Sequence, residues 1–241
     1  MVLPYQQIFT FAKIGPFTFA AWGTMVALGF LAVLWIISRE AQKRGADSDR
    51  VYELFLSVFI GGILGARIGW LLTEGWGIGF FDALKIWHGG MIWHGGFIGA
   101  FLAFYGYSKW KKLDLWKHAD LFAIGIPLGH AIGRIGCHLI GDHVGKQTAL
   151  PWGINLGGAI THPISLYEMI ALFAIFGIVY KLKDQKKFDG WLFSIYILSY
   201  ASIRFLLDFL RVDPTYGGLT IAQYVSLGLI VASGWLILKS R

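Results

Sequence analysis

Cysteine is almost absent from this chain. Cys137 is the only one in 241 residues, which excludes an intrachain disulfide and leaves cysteine pairing silent on the compartment. Charge is scarce as well: Asp, Glu, Lys and Arg make up 15% of residues against 56% hydrophobic ones, too little to cover a soluble globule with polar surface. Acids are the rarer sign, 14 against 21 basic residues, for a formal net charge of +7. Residues 1–17 lack the basic start and small-residue cleavage site of a secretory signal peptide, and Pro4 and Pro16 break them into an expected outer-surface arm. Low-complexity tracts and linkers are missing too, so one polytopic membrane domain over 1–241 is expected.

What the chain does have is long apolar runs. Stretches of about 18–23 residues, each enough to span a bilayer as a helix, lie near 18–37, 51–72, 89–107, 118–140, 163–181, 190–210 and 219–238. The expected fold is an all-α integral membrane protein, a bundle of seven transmembrane helices with its termini on opposite sides. Lys and Arg orient it, because short cytoplasmic loops carry them in excess. Arg39, Lys43, Arg44 and Arg50 fall between the first two runs, and Lys109, Lys111, Lys112 and Lys117 between the third and fourth. Lys181, Lys183, Lys186 and Lys187 fall between the fifth and sixth, with Lys239 and Arg241 in the tail. The alternate loops hold only Lys13, Lys85, Lys146 and Arg211. This asymmetry places the N-terminus outside and the C-terminus in the cytoplasm, and it accounts for the net charge as topology, leaving no nucleic-acid role to explain. The one sizeable insert, about 141–162, is rich in Gly and falls outside.

Arg67, Arg134 and Arg204 nevertheless lie inside apolar runs, where a charge costs about 3 kcal/mol unless it is partnered or used. Given the orientation, His94 sits about six residues, roughly 9 Å, below the outer edge of the third helix. Arg67, His130, Arg134, Cys137, His138, Glu168, Arg204 and Asp208 also fall in outer halves. Five helices therefore bring ionisable groups to one level.

Helical phase groups some of them. Tyr200, Arg204, Asp208 and Arg211 are spaced by four, four and three, which keeps them within roughly 80° of one another. One reading is a ladder of ion pairs bracing the bundle. The other is an anion site, since two arginines face one acid and membrane bundles usually pack through small residues. In Ile132-Gly133-Arg134-Ile135-Gly136 small residues flank the arginine, so a neighbouring helix or lipid headgroup can approach closely; its planar fork suits bidentate phosphate. A structural salt bridge from Arg134 to Asp120 or Asp142 is the alternative. Arg67, within Gly65-Ala66-Arg67-Ile68-Gly69, has the same flanks.

The sequence His-Gly-Gly occurs at both His88 and His94. Six residues apart on a helix, the two histidines lie on nearly opposite sides, and His88 is at the membrane surface. His94 is thus the candidate for proton transfer, against the plainer role of a hydrogen-bonded packing residue.

Other function classes use embedded charges too. Seven histidines admit a metal-dependent membrane enzyme, and His138, Asp142 and His143 are close in sequence, but no His-x-x-His or His-x-x-x-His pair occurs. A lipid or solute transporter would show repeated halves and a midplane site, and neither is evident.

Taken together, His94-Gly95-Gly96 behind a Gly-Gly segment, Pro127 to Arg134 and Gly136, His162-Pro163 leading to Leu166-Tyr167-Glu168, and Tyr200 through Arg204, Asp208 and Arg211 resemble the prolipoprotein diacylglyceryl transferase family. The order and separations are similar from about residue 18 to 230. The resemblance implies transfer of the diacylglyceryl group of phosphatidylglycerol to the thiol of a lipobox cysteine in a prolipoprotein signal peptide. That reaction is the first step of bacterial lipoprotein maturation; it forms a thioether and releases glycerol phosphate. The implied setting is the bacterial cytoplasmic (inner) membrane, multi-pass and among its lipids, with the site toward the outer leaflet and no cofactor or metal. Carried over by position, His94 is the proposed base, Arg134 and Arg204 bind phosphate, and Tyr200 orients the headgroup. Arg67, Gly145, Glu168, Asp208 and Arg211 match further substrate-site positions. Asp208 stands where Glu is usual, Cys137 and Ile140 where Asn is usual, Asp142 in place of Glu, and Trp22 in place of Tyr; these departures bear on headgroup recognition.

Overall fold

Aspartates stand just ahead of two apolar runs and start helices there. Asp47 accepts from the amides of Asp49 and Arg50, and Asp114 from those of Trp116 and Lys117 at 3.1 Å each, satisfying donors that a helix start otherwise leaves open. In the computed structural model, which describes residues 5–15, 17–85, 89–185 and 187–239, the helices are α1 (Ala21–Lys43), α2 (Ser48–Thr73), α3 (Phe80–Ala83), α4 (Trp93–Trp110), α5 (Leu115–Ile140), α6 (Ile164–Leu182), α7 (Trp191–Asp208) and α8 (Ile221–Lys239). Pro4, Pro16, His88, Lys186 and Arg241 lie outside the described residues.

Six of these helices are long and apolar enough to cross a membrane. The 18-residue α4 is not among them: His94, its glycines and its Tyr-Gly-Tyr-Ser-Lys-Trp end dilute the apolar content. Burial is inverted relative to a water-soluble protein. Leu31, Leu64, Leu206 and Val231 are more than half exposed, whereas Glu168, Asp208 and Gln223 are 2% exposed or less. An apolar exterior of this extent suits hydrocarbon, not water. The chain is a helical membrane protein.

Local backbone chemistry shifts several expected boundaries. The first helix starts at Ala21, not at 18, because β2 (Phe17–Ala20) pairs antiparallel with β1 (Thr10–Ile14). The Gly-rich insert folds into a three-stranded antiparallel sheet, in the order β3 (Val144–Gln147), β5 (Ala159–Pro163), β4 (Ile154–Leu156). The third run does not become helix at 89. Gly89 and Gly90 have φ of 83° and 71°, a left-handed conformation that glycine accepts and a helix does not. His94 is therefore the second residue of α4 and not six residues inside it.

Two compact units form, Met1–Ile37 with Ala119–Arg241, and Ser38–His118. In the first, Ile36 of α1, Ala123 and Ile124 of α5, Ile175 and Val179 of α6, and Trp191, Leu192 and Tyr196 of α7 make the apolar core. Buried Asp120 accepts from the amides of Gly190 at 2.8 Å and Phe193 at 2.9 Å, capping α7 from a neighbouring helix. In the second unit α2 and α4 touch backbone to backbone. A Cβ at Gly65 would overlap the carbonyl oxygen of Gly95, and one at Gly61 would sit 2.8 Å from that of Gly99. Small residues at this spacing allow the close approach that membrane helices use in place of a hydrophobic driving force.

Candidate active site

β5 runs directly into α6, with Pro163 as the helix's N-cap residue. This sets Glu168 in the second turn of α6, 2% exposed and level with two arginines. Its Oε1 accepts from Arg204 Nη1 at 2.5 Å, and its Oε2 lies 2.7 Å from Arg134 Nε. The second contact is an ion pair by distance, but the Arg134 N–H is not directed along it, leaving that buried Nε without an aligned acceptor. One carboxylate from α6 thus joins guanidiniums of α5 and α7. Arg134 is partnered by neither Asp120, committed to the α7 start, nor Asp142, which pairs with His143 at 2.8 Å.

The stripe on α7 is partly a ladder. Arg204 Nη2 lies 2.9 Å from Asp208 Oδ1, one turn away. Tyr200, one turn earlier, lies beside the Arg134 and Arg204 guanidiniums and packs its ring 5.2 Å from that of His130. Arg211 does not continue the helix: α7 ends at Asp208, and Arg211 forms an isolated β-bridge with Gly145 of β3. The expected site residues Gly145 and Arg211 therefore meet through main chain. Gly145 admits no side chain, because a Cβ would stand 2.6 Å from the His162 carbonyl oxygen. Arg211 Nε contacts Asp208 Oδ1 at 3.5 Å and Asp213 Oδ2 at 2.6 Å, while its buried Nη1 has no aligned acceptor. The two-to-one excess of arginine over acid along the stripe is thus corrected by tertiary structure. Glu168 and Asp213 bring the cluster of Arg134, Arg204 and Arg211 to three cations and three carboxylates.

Thr220 and Gln223 were not singled out from the sequence, and they hold this cluster. Thr220 Oγ1 donates to Asp208 Oδ2, and the Gln223 amide donates to Thr220 Oγ1 at 3.1 Å. Gln223 Oε1 accepts from the Thr220 amide at 2.9 Å. This is a capping box at the start of α8. The Thr-x-x-Gln pattern before an apolar run was the available signal. Its hydroxyl serves Asp208 as well as the helix end.

The second unit holds His94 and Arg67. His94, exposed, contacts Trp93 edge-on, their ring centroids 5.3 Å apart. Arg67 is 6% exposed, and main chain surrounds it. Its Nε donates to the Ala83 carbonyl at 2.8 Å, Nη2 to Asp82 at 2.7 Å, and Nη1 to Gly89 at 2.6 Å and Gly90 at 3.0 Å. Its guanidinium also lies 4.8 Å from the centre of the Trp70 ring.

Comparison with known proteins assigns the chain to a family. The family model described as "Prolipoprotein diacylglyceryl transferase" matches residues 9–239. The chain belongs to the prolipoprotein diacylglyceryl transferase family. Among relatives of that family named phosphatidylglycerol–prolipoprotein diacylglyceryl transferase, the protein of Campylobacter lari is 36% identical, over 88% of this chain and 83% of its own length. That of Clostridioides difficile is 35% identical, over 91% of this chain and 92% of its own. That of Vibrio vulnificus is 31% identical, over 98% and 90%.

Proposed function

We propose that this chain transfers the diacylglyceryl group of phosphatidylglycerol to the thiol of a lipobox cysteine in prolipoproteins. Family membership and the relatives' names support the reaction. The observation that carries the chemistry is the convergence of Arg134 and Arg204 on buried Glu168, with aligned acceptors lacking at Arg134 Nε and Arg211 Nη1. A buried donor without an acceptor costs about 1–3 kcal/mol, which bears on Arg211 Nη1, and a phosphate oxygen is a charged acceptor for such a donor.

In the reaction the thiol loses its proton, its sulfur forms a bond to the glyceryl carbon, and the bond from that carbon to phosphate oxygen breaks. Glycerol phosphate leaves with the electron pair. Charge growing on the departing phosphate is stabilised by Arg134 and Arg204. Glu168 holds both guanidiniums in position and yields them in part to the phosphate. Tyr200 orients the headgroup, Asp208 fixes Arg204 and Arg211, and Gly145 keeps β3 against the Arg211 segment. His94 accepts the thiol proton. Arg67, engaged by four carbonyls, serves by anchoring the segment ahead of α4 and not by touching substrate. No metal or cofactor enters this scheme.

The proposed setting is one membrane domain of seven spanning helices, α4 included, in the bacterial inner membrane. The N-terminus and the insert near 141–162 are outside, the C-terminus is cytoplasmic, and the site faces the outer leaflet. The loop distribution of Lys and Arg supports this orientation. Incubating purified protein with phosphatidylglycerol vesicles and a lipobox peptide tests the reaction. Thioether formation with stoichiometric glycerol phosphate is expected. A peptide left unmodified by folded protein overturns the reading.

A further inference from the structure

At the outer end of α5 the chain reverses in a way that gathers three side chains given no part in the scheme above, two of which, Cys137 and Asp142, replace the residues usual in the family. The Asp142 amide donates to the Cys137 carbonyl at 3.0 Å and the Gly141 amide to that of His138 at 3.1 Å, with Gly141 at φ 72°. These paired bonds and the left-handed glycine make a Schellman cap. Folding back over the last turn, they bring Asp142 and His143 to Cys137. The Cys137 Sγ, an Asp142 carboxylate oxygen and a His143 ring nitrogen all lie within 4.8 Å of one another.

We propose that Cys137, Asp142 and His143 form a binding site for a soft divalent cation of the Zn2+ class. The donor set is one sulfur, one nitrogen and one oxygen, the types that Zn2+ takes in tetrahedral sites. Three protein ligands leave a fourth position for water. The site sits at the C-terminal end of a 26-residue helix, where the backbone dipole favours positive charge. The side chains of His143 and Asp142 are 26% and 49% exposed, while Cys137 is buried. On binding, the Cys137 S–H proton passes to solvent, the Asp142–His143 contact of 2.8 Å opens to admit the ion, and bonds form to sulfur, nitrogen and oxygen. A thiolate and a carboxylate neutralise the dication, against the repulsion of the Arg134 guanidinium beside the sulfur. The contact of Arg134 Nη1 with Cys137 Sγ at 3.9 Å puts the bound ion beside a guanidinium of the active-site cluster.

Cobalt is the probe, because Co2+ occupies Zn2+ sites and its bond to thiolate absorbs in the near ultraviolet. Full-length protein in detergent, titrated with Co2+, is expected to develop a thiolate-to-cobalt band that saturates at one equivalent and is bleached by one equivalent of Zn2+. Cys137→Ser should lose the band entirely. His143→Gln, at a partly exposed position outside the helix, should bind about tenfold or more weakly, the least expected for a lost ligand. An absent band in wild-type protein, or an equal band in Cys137→Ser, overturns the site. The readout needs no turnover, so it stands or falls independently of the transferase reading.

Discussion

Glu168 on α6 accepts a 2.5 Å hydrogen bond from Arg204 on α7 while its other oxygen lies 2.7 Å from Arg134 on α5. A single buried carboxylate therefore sets the spacing of two guanidiniums from different helices. Removing one partner of a buried ion pair costs about 3–5 kcal/mol, because the other charge is left uncompensated. Glu168→Gln keeps the shape and removes the charge. It should lower the thermal unfolding midpoint in detergent by several degrees and reduce diacylglyceryl transfer at least about tenfold. An unchanged midpoint would show that the arginines do not depend on this carboxylate.

If Arg134 and Arg204 bind phosphate as proposed, the planar fork matters as well as the charge. Arg134→Lys and Arg204→Lys should each lower turnover by about 10²–10³-fold, the loss typical of a removed transition-state donor. Steady-state assays with phosphatidylglycerol and a lipobox peptide measure this. Near wild-type rates in both variants would remove the phosphate assignment.

His94→Gln should abolish transfer while leaving the elution profile and helicity unchanged, since the side chain is exposed at the start of α4. Full activity in this variant would exclude His94 as the base.

Arg67 is a strut. A lysine in its place cannot serve four carbonyls in three directions. Arg67→Lys should lower thermal stability and speed hydrogen exchange around Gly90, whose Cβ position is crowded by Arg67 and Trp70. Unaltered exchange there, with transfer alone impaired, would instead point to a direct substrate role.

Thr220 couples a helix start to the cluster. Thr220→Val removes both the cap and the hydrogen bond to Asp208, at about 1–2 kcal/mol for the cap alone. Thr220→Ser retains the hydroxyl and should retain stability and turnover. Equal behaviour of the two variants in unfolding and transfer assays would show that the Asp208 bond carries no weight.

Much of the fold was legible because its signals are local. Apolar run length marked every long helix, although α1 runs to Lys43, past its expected end near 37. What was not legible depended on backbone detail or on remote partners. The positive φ of Gly89 and Gly90 delays α4 to Trp93, and the hairpin of β1 and β2 takes residues 17–20. Helical phase grouped Tyr200, Arg204 and Asp208, but carried Arg211 past the end of α7 to a strand partner that phase cannot see.

By itself the sequence determined that this is a helical membrane protein with buried cations, because hydrocarbon imposes length and composition on every segment one at a time. Its motifs also determined the family. Only the tertiary structure decided how those cations are balanced: Arg134 with Glu168 instead of Asp120 or Asp142, Arg67 with main-chain carbonyls, Arg211 with Asp213 and the Gly145 strand. Ion-pair choice depends on which side chains come within about 4 Å after packing, and spacing along one helix cannot state what a neighbouring helix or loop will bring.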